Sequence, residues 1–352
     1  MEGDMTLTKM DTQRDNSLSY MRVFAALAIV ILHVFQYVIE GFNIMGTDKI
    51  ASISIRNSTL WAVPIFVLVS GALLLDDSRE ITYGRLFRRY ILRIAVVLVC
   101  TLFIYELVDA IIYKDTIDMH FFLKGLKNLF FGTGWKPLWY LYMLLAIYLM
   151  LPIYRLAAKS MSAKDSRYLI IVLFIFQSVF SCVEKFTSRK SGFYICVYTV
   201  YTLYFFAGHA IYKGHIRFKT IPAVILLIIS SVANVILTIM SFKLGLKGVY
   251  GAMNNYASSI VVVQSLCLFS LLLKHRSEKT GILGRALLAV DKVTLGIYLV
   301  HLIILRVVIY SMKWNPFKYG IYMTFLLAFG IFVVSFIIAR VLHMIPLVKR
   351  FI

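Results

Sequence analysis

Charge is scarce in this chain. Only 15% of its 352 residues are Asp, Glu, Lys or Arg, and acids are the rarer sign, 17 against 37 bases. A soluble globular chain carries about 25% charge. Apolar residues take up the difference, at 61% of the sequence. They come in long runs rather than short amphipathic stretches, and a water-soluble fold of this size has nowhere to hide them. Cysteine is also rare. Cys100, Cys182, Cys196 and Cys267 all fall inside apolar runs, and no CxxC pair occurs. That excludes a disulfide framework and leaves them as small apolar packing residues. No metal site is expected. Internal repeats and low-complexity segments are missing too, and no polar stretch is long enough for a separate soluble domain.

What is present is a net charge of +20. It does not point to nucleic acid, because the bases form neither a basic domain nor an arm. They sit in short clusters between apolar runs, where a membrane protein carries its topogenic charge. Residues 1–17 are polar and mixed in charge, which is not the pattern of a cleavable signal peptide. They are read as a cytoplasmic N-terminal segment, and 18–352 as a single membrane-embedded domain.

A bilayer core takes about 20 apolar residues per helix. Runs of that kind occupy residues 18–40, 52–75, 91–113, 138–154, 168–184, 193–212, 221–242, 256–273, 288–311 and 320–345. The expectation is an all-α integral membrane protein of about ten transmembrane helices, with the fourth and fifth the shortest. Pro64 should kink the second. The longest loop, 114–137, should hold a short interfacial helix over 119–131. Lys and Arg are in excess in one set of alternate loops, which includes Arg79, Arg85, Arg88, Arg89, Arg155, Lys213 and Lys274. The poorer set includes Lys49, Arg56 and four lysines of the 114–137 loop. The bias places both termini in the cytoplasm.

Titratable residues inside spans are costly, so each is a functional candidate. These are Arg22, His33, Arg93, Glu106, Asp109, His209, His301, Arg306, Arg340 and His343. Arg22 and His33 are eleven residues apart, which puts them on one helix face and about 16 Å apart along the axis. Taken singly, Arg22 reads equally as a snorkelling topogenic arginine and His33 as a histidine bonded to another helix. Their shared face favours function. Ser70-Gly71 permits close helix approach, and packing accounts for it at least as well as a role for Ser70. Arg85, Arg88, Arg89 and Arg93 recur at helical spacing. They suit positive-inside charge, and they also suit a phosphate clamp.

The set resembles the acyltransferase-3 family of bacterial membrane proteins. The resemblance rests on Arg22-x10-His33, Pro64-Ile-Phe-Val-Leu-Val-Ser70-Gly71 and the Arg85–Arg93 cluster. It continues through Leu138-Trp139-Tyr140-Leu141, Phe206-Ala-Gly208-His-Ala-Ile-Tyr212 and Leu295-Gly-Ile-Tyr298-Leu-Val-His301, in the family's order over nearly the whole chain. No single element is specific; the ordered set is. The resemblance implies transfer of an acyl group, usually acetyl, from cytoplasmic acyl-CoA to a hydroxyl of an extracytoplasmic glycan or lipid-linked sugar. It places the protein in the bacterial cytoplasmic membrane with no permanently bound cofactor, acyl-CoA being a donor substrate.

On that reading His33 is a general base or an acyl carrier. Arg22 binds donor or organises the site, and Arg85, Arg88, Arg89 and Arg93 hold phosphates. Glu106, Asp109 and Glu40 are candidate partners for the imidazole, against a reading as ion pairs near the outer boundary. His301 takes a supporting role, and His209 and His343 structural or interfacial ones. Trp139 and Tyr140, with Trp135 and Tyr142, form either an aromatic belt or a sugar-stacking platform, the belt being favoured. Two other classes compete. One is an exporter of polysaccharide or amphiphile, disfavoured because no inverted repeat is visible. The other is a structural partner in an envelope-glycan assembly.

Overall fold

The computed structural model describes residues 16–188, 199–274 and 281–351. Cys196, the start of the sixth run and the loop bases Lys9, Arg14, Arg189, Lys190, Arg276 and Lys279 lie outside the described residues. Among the described residues every regular element is helical. In chain order they are α1 (Asn16–Gly41), α2 (Gly46–Ser58), α3 (Ala62–Leu74), α4 (Tyr83–Tyr113), α5 (Met119–Phe131), α6 (Lys136–Ser160) and α7 (Ala163–Thr187). There follow α8 (Val200–Tyr212), α9 (Thr220–Lys243), α10 (Lys247–Met253), α11 (Ser259–Lys274), α12 (Ile282–Asp291), α13 (Thr294–Ser311) and α14 (Ile321–Leu342). Eight stretches, with α2 and α3 counted together, are long and apolar enough to cross a membrane; α8 and α11 are shorter. Each of the ten apolar runs therefore contains helix where described.

The burial pattern is that of a protein solvated by lipid. On α9, Ile221, Ile225, Ile228, Ile229, Val232 and Ile236 are exposed, whereas Ser230, Asn234, Thr238 and Ser241 are buried. Side-chain polarity turned inward finds partners there: Asn57 Nδ2 donates to Thr238 Oγ1 at 3.1 Å. In hydrocarbon an unpaired polar group is costly, so polar residues gather between helices while apolar ones face outward.

α1 is the hub, packing against α2, α3, α11, α12, α13 and α14. α3 crosses α8 at backbone contact. A Cβ built at Gly71 would lie 1.8 Å from the Phe205 carbonyl oxygen, and one at Gly208 would lie 2.0 Å from that of Leu68. The two backbones touch because neither position has a side chain, the close approach read from Ser70-Gly71.

The second run is broken rather than merely kinked. α2 ends at Ser58 and α3 begins at Ala62, with Pro64 in its first turn. Proline has no amide proton and crowds the carbonyl four residues earlier, so the helix stops just ahead of it. The loop helix appears where expected, as α5. Asp118 caps it by accepting from the Phe121 amide at 3.1 Å, and Gly132 ends it at φ +65°. The fourth and fifth spans are not the shortest, since α6 and α7 each run to 25 residues. Arg155, Lys159, Lys164 and Arg167 are helical, not loop, residues. Only Met161 and Ser162 separate the two helices, and a reciprocal Ser162–Asp165 capping box restarts the chain at once.

Candidate functional site

Two cavities open from opposite ends of α1. The first, of about 360 Å³, is lined by Arg22, Phe66, Ser70, Arg93, Tyr140, Tyr148, Asp291, Lys292 and Tyr298, among others. The second, of about 520 Å³, is lined by His33, Gln36, Tyr37, Glu40, Arg56, Trp135, Lys136, Trp139, Tyr256, Arg306 and Tyr310, among others. Arg22 and His33 thus share a helix but serve different chambers.

Between the chambers stand two tyrosines. The rings of Tyr140 and Tyr298 are 5.4 Å apart. Both line the Arg22 cavity, while the Tyr298 hydroxyl donates to the carbonyl of Pro137, which lines the His33 cavity. Tyr298 also lies 5.9 Å from the ring of His301.

The partner of His33 is His301, not an acid. His33 Nδ1 is 2.9 Å from His301 Nε2, and His301 Nδ1 is 2.9 Å from the carbonyl oxygen of Ile297. A carbonyl only accepts, so the Nδ1 of a neutral His301 carries its proton and Nε2 is left as the acceptor. His33 must then donate from Nδ1, and its Nε2 holds a lone pair. His301 is fully buried and sits on α13, so the chain is rigidly held.

Glu106 and Asp109 are both engaged elsewhere. Asn128 donates to Glu106 at 2.7 Å, and Lys124 lies 3.6 Å from it. Asp109 accepts two bonds from Arg306, from Nε at 2.7 Å and Nη2 at 3.0 Å, and a third from Trp135 Nε1 at 2.7 Å. Arg306 in turn stacks over the rings of Trp135 and Tyr310 at 5.0 and 4.6 Å. Glu40 lines the His33 cavity but pairs with Lys136 at 3.3 Å. Each of these acids has a partner of its own, and the imidazole is left to His301.

Arg22 grips Asp291 with both ends of its fork, Nε to Oδ1 and Nη2 to Oδ2, each at 2.7 Å. Asp291 closes α12 and is almost fully buried. The pair neutralises Arg22, so the positive charge of this cavity rests on Arg93 and Lys292. Of the arginine cluster only Arg93 lines the cavity. Arg85 is tied to the Glu80 carbonyl, and Arg88 and Arg89 are exposed on a π-helical turn, Leu86–Ile91. Ser70 lines the same cavity while its hydroxyl donates to the Phe66 carbonyl at 2.8 Å. Trp139 and Tyr140, adjacent in sequence, divide between the chambers. Trp139 packs with Tyr201 and Tyr256 at 5.4 and 5.3 Å on the His33 side.

Sequence reasoning passed over Asp291, Arg56, Tyr256 and Tyr298. An Asp within the start of the ninth apolar run was the available signal for the first. Removing it has a clear expected cost. Asp291→Ala leaves Arg22 charged and unpaired, and should lower stability in detergent by on the order of 3 kcal/mol. Asp291→Asn, which keeps one acceptor, should lose less. A melting temperature equal to wild type for Asp291→Ala would show that the pair does not hold α1 to α12.

A family model described as an acyltransferase domain matches residues 15–344. No curated protein and no solved structure matches the chain.

Proposed function

Because this multi-pass membrane protein belongs to the acyltransferase-3 family, we propose that it transfers an acyl group, acetyl in the first instance, from acyl-CoA to a hydroxyl of a glycan or lipid-linked sugar on the other side of the membrane. The observation that carries this is the pair of chambers, the second of them lined by His33 with the His33–His301–Ile297 relay behind it. CoA is a multiply charged anion. The Arg22 chamber, with Arg93 and Lys292, suits its phosphates and lies at the end of α1 that the loop charges assign to the cytoplasm. The opposite chamber, walled by Trp135, Trp139, Tyr256 and Tyr310, suits the faces of a sugar.

In this reading the thioester carbonyl reaches past Tyr140 and Tyr298 into the His33 chamber. The acceptor hydroxyl gives its proton to His33 Nε2 and attacks the carbonyl. The ester C–O bond forms, the C–S bond breaks, and the thiolate leaves with the donor. His301 holds the imidazole in the tautomer that has Nε2 free, and shares the positive charge that develops on it. The same lone pair would serve a nucleophile, and an acyl-protein isolated in the absence of acceptor would mark that route. The bilayer is a partner of every step, and nucleic acid of none.

The test is vectorial. In proteoliposomes given radiolabelled acetyl-CoA on the face of the Arg22 chamber only, label should appear on a glycan supplied on the opposite face. Movement of unmodified glycan across the membrane without any donor would identify an exporter and overturn the proposal.

A further inference from the structure

Four arginines line the two chambers, and three have Nε satisfied by protein. Arg22 and Arg306 give Nε and Nη2 to the carboxylates of Asp291 and Asp109. Arg93 gives Nε to the carbonyl of Phe351 at 2.9 Å. Arg56 is different. Its hydrogen bonds among the described residues leave from Nη1 alone, to the side-chain oxygens of Asn57 and Asn254. Its Nε is buried and without a partner. Two neutral amides therefore position this guanidinium without neutralising it, and the edge that Arg22 and Arg306 each give to a carboxylate is left over.

Among the described residues no carboxylate is hydrogen-bonded to Arg56. Of the other charged groups lining the chamber, Glu40 pairs with Lys136 and Arg306 with Asp109. These pairs cancel, and Arg56 is the net charge of the chamber. A cation removed from water and left without a counter-ion is expensive. The Nε/Nη2 edge of a guanidinium matches two oxygens of one carboxylate or phosphate.

From this we infer that the His33 chamber takes an anionic acceptor: a sugar bearing a carboxylate or phosphate, whose oxyanion pairs with the guanidinium of Arg56 while a hydroxyl faces His33 Nε2. The inference rests on the His33 chamber being the acceptor side. It deepens the proposed function by fixing a substrate class. Asn57 and Asn254 are positioning residues for Arg56. The aromatic walls then bind the sugar faces without regard to charge.

The experiment measures binding with no acyl donor present, so its outcome is separable from that of the transfer assay. The full chain is placed in nanodiscs of zwitterionic lipid, and quenching of tryptophan emission, to which Trp135 and Trp139 in the chamber wall contribute, is followed on titration with D-glucuronate, inorganic phosphate and neutral methyl glucoside. Glucuronate or phosphate should saturate, and should bind at least about tenfold more tightly than the neutral sugar, the size expected for a charge-assisted pair. Arg56→Gln should remove that preference, and Arg56→Lys should keep part of it. Asn254→Asp, which adds a carboxylate of the same shape beside Arg56, should remove it too, and serves if Arg56→Gln does not fold. The inference is overturned if acidic and neutral sugars bind alike. It is also overturned if the anion preference survives both Arg56→Gln and Asn254→Asp. Displacement of glucuronate by phosphatidylglycerol in the disc would assign the edge to a lipid headgroup and overturn the acceptor assignment. Loss of acyl transfer in Arg56→Gln with anion binding intact would place the guanidinium on the reacting carbonyl and do the same.

Discussion

His33→Ala should reduce acyl transfer by about two to four orders of magnitude, the range for losing a positioned general base, with insertion and thermal stability close to wild type. Stability is spared because His33 is only half-buried and lines a chamber, so truncation enlarges a polar space rather than emptying a packed core. Substitutions at His301 should grade with chemistry. His301→Leu removes the acceptor for His33 Nδ1–H and should cost about 10- to 100-fold, the usual price of losing the group that orients an imidazole. His301→Gln can present an amide oxygen to the same proton and should recover part of the loss. Wild-type rates in His33→Ala would remove the histidine from the chemistry. Equal rates in His301→Leu and His301→Gln would show that His301 merely fills space.

The second large effect is on assembly. Gly71→Leu or Gly208→Leu should yield little or no monodisperse protein on size-exclusion chromatography in detergent. The atoms that a new Cβ meets are carbonyl oxygens of the facing helix, at 1.8 and 2.0 Å. A flexible side chain can move aside; a helix backbone cannot without parting the pair. In a membrane the loss is acute, because helix association depends on close van der Waals contact rather than on exclusion of water. Even alanine should cost about 3 kcal/mol, at the upper end for overpacking. α3 carries Ser70 on the wall of the Arg22 chamber, so a variant that survives should also lose donor affinity. A melting temperature unchanged in Gly71→Leu would mean that the α3–α8 crossing contributes nothing to stability.

These residues also mark how far the sequence could be read. The ten apolar runs, the helix at 119–131, the shared face of Arg22 and His33 and the close approach at Gly71 all follow from composition, helical period or a missing side chain. Such signals are local. The partner of His33 is 268 residues away, and period says which face a residue occupies but not which helix lies opposite. Glu106 and Asp109 were reasonable candidates by depth, yet Asn128 and Arg306 are nearer to them. Asp291 escaped notice because it sits at the edge of an apolar run. Arg56 read as loop charge because only the break ahead of Pro64 turns α2 back into the bundle. The interhelical pairs record a topology that one-dimensional pattern does not encode.

The two tyrosines have an electrical consequence. A bilayer normally drops its voltage across about 30 Å of hydrocarbon. Here polar chambers enter from both ends of α1, and the layer between them, which includes Ile29, Leu32, Tyr140 and Tyr298, is thinner than a full span. The membrane field is concentrated on that layer. A unit charge carried across it does nearly the full electrical work, about 2.3 kcal/mol per 100 mV. An acyl group crossing as a neutral carbonyl escapes this work, whereas a thiolate left on one side and a proton taken up on the other do not, so the rate of the proposed reaction is tied to the polarity of the membrane that holds it.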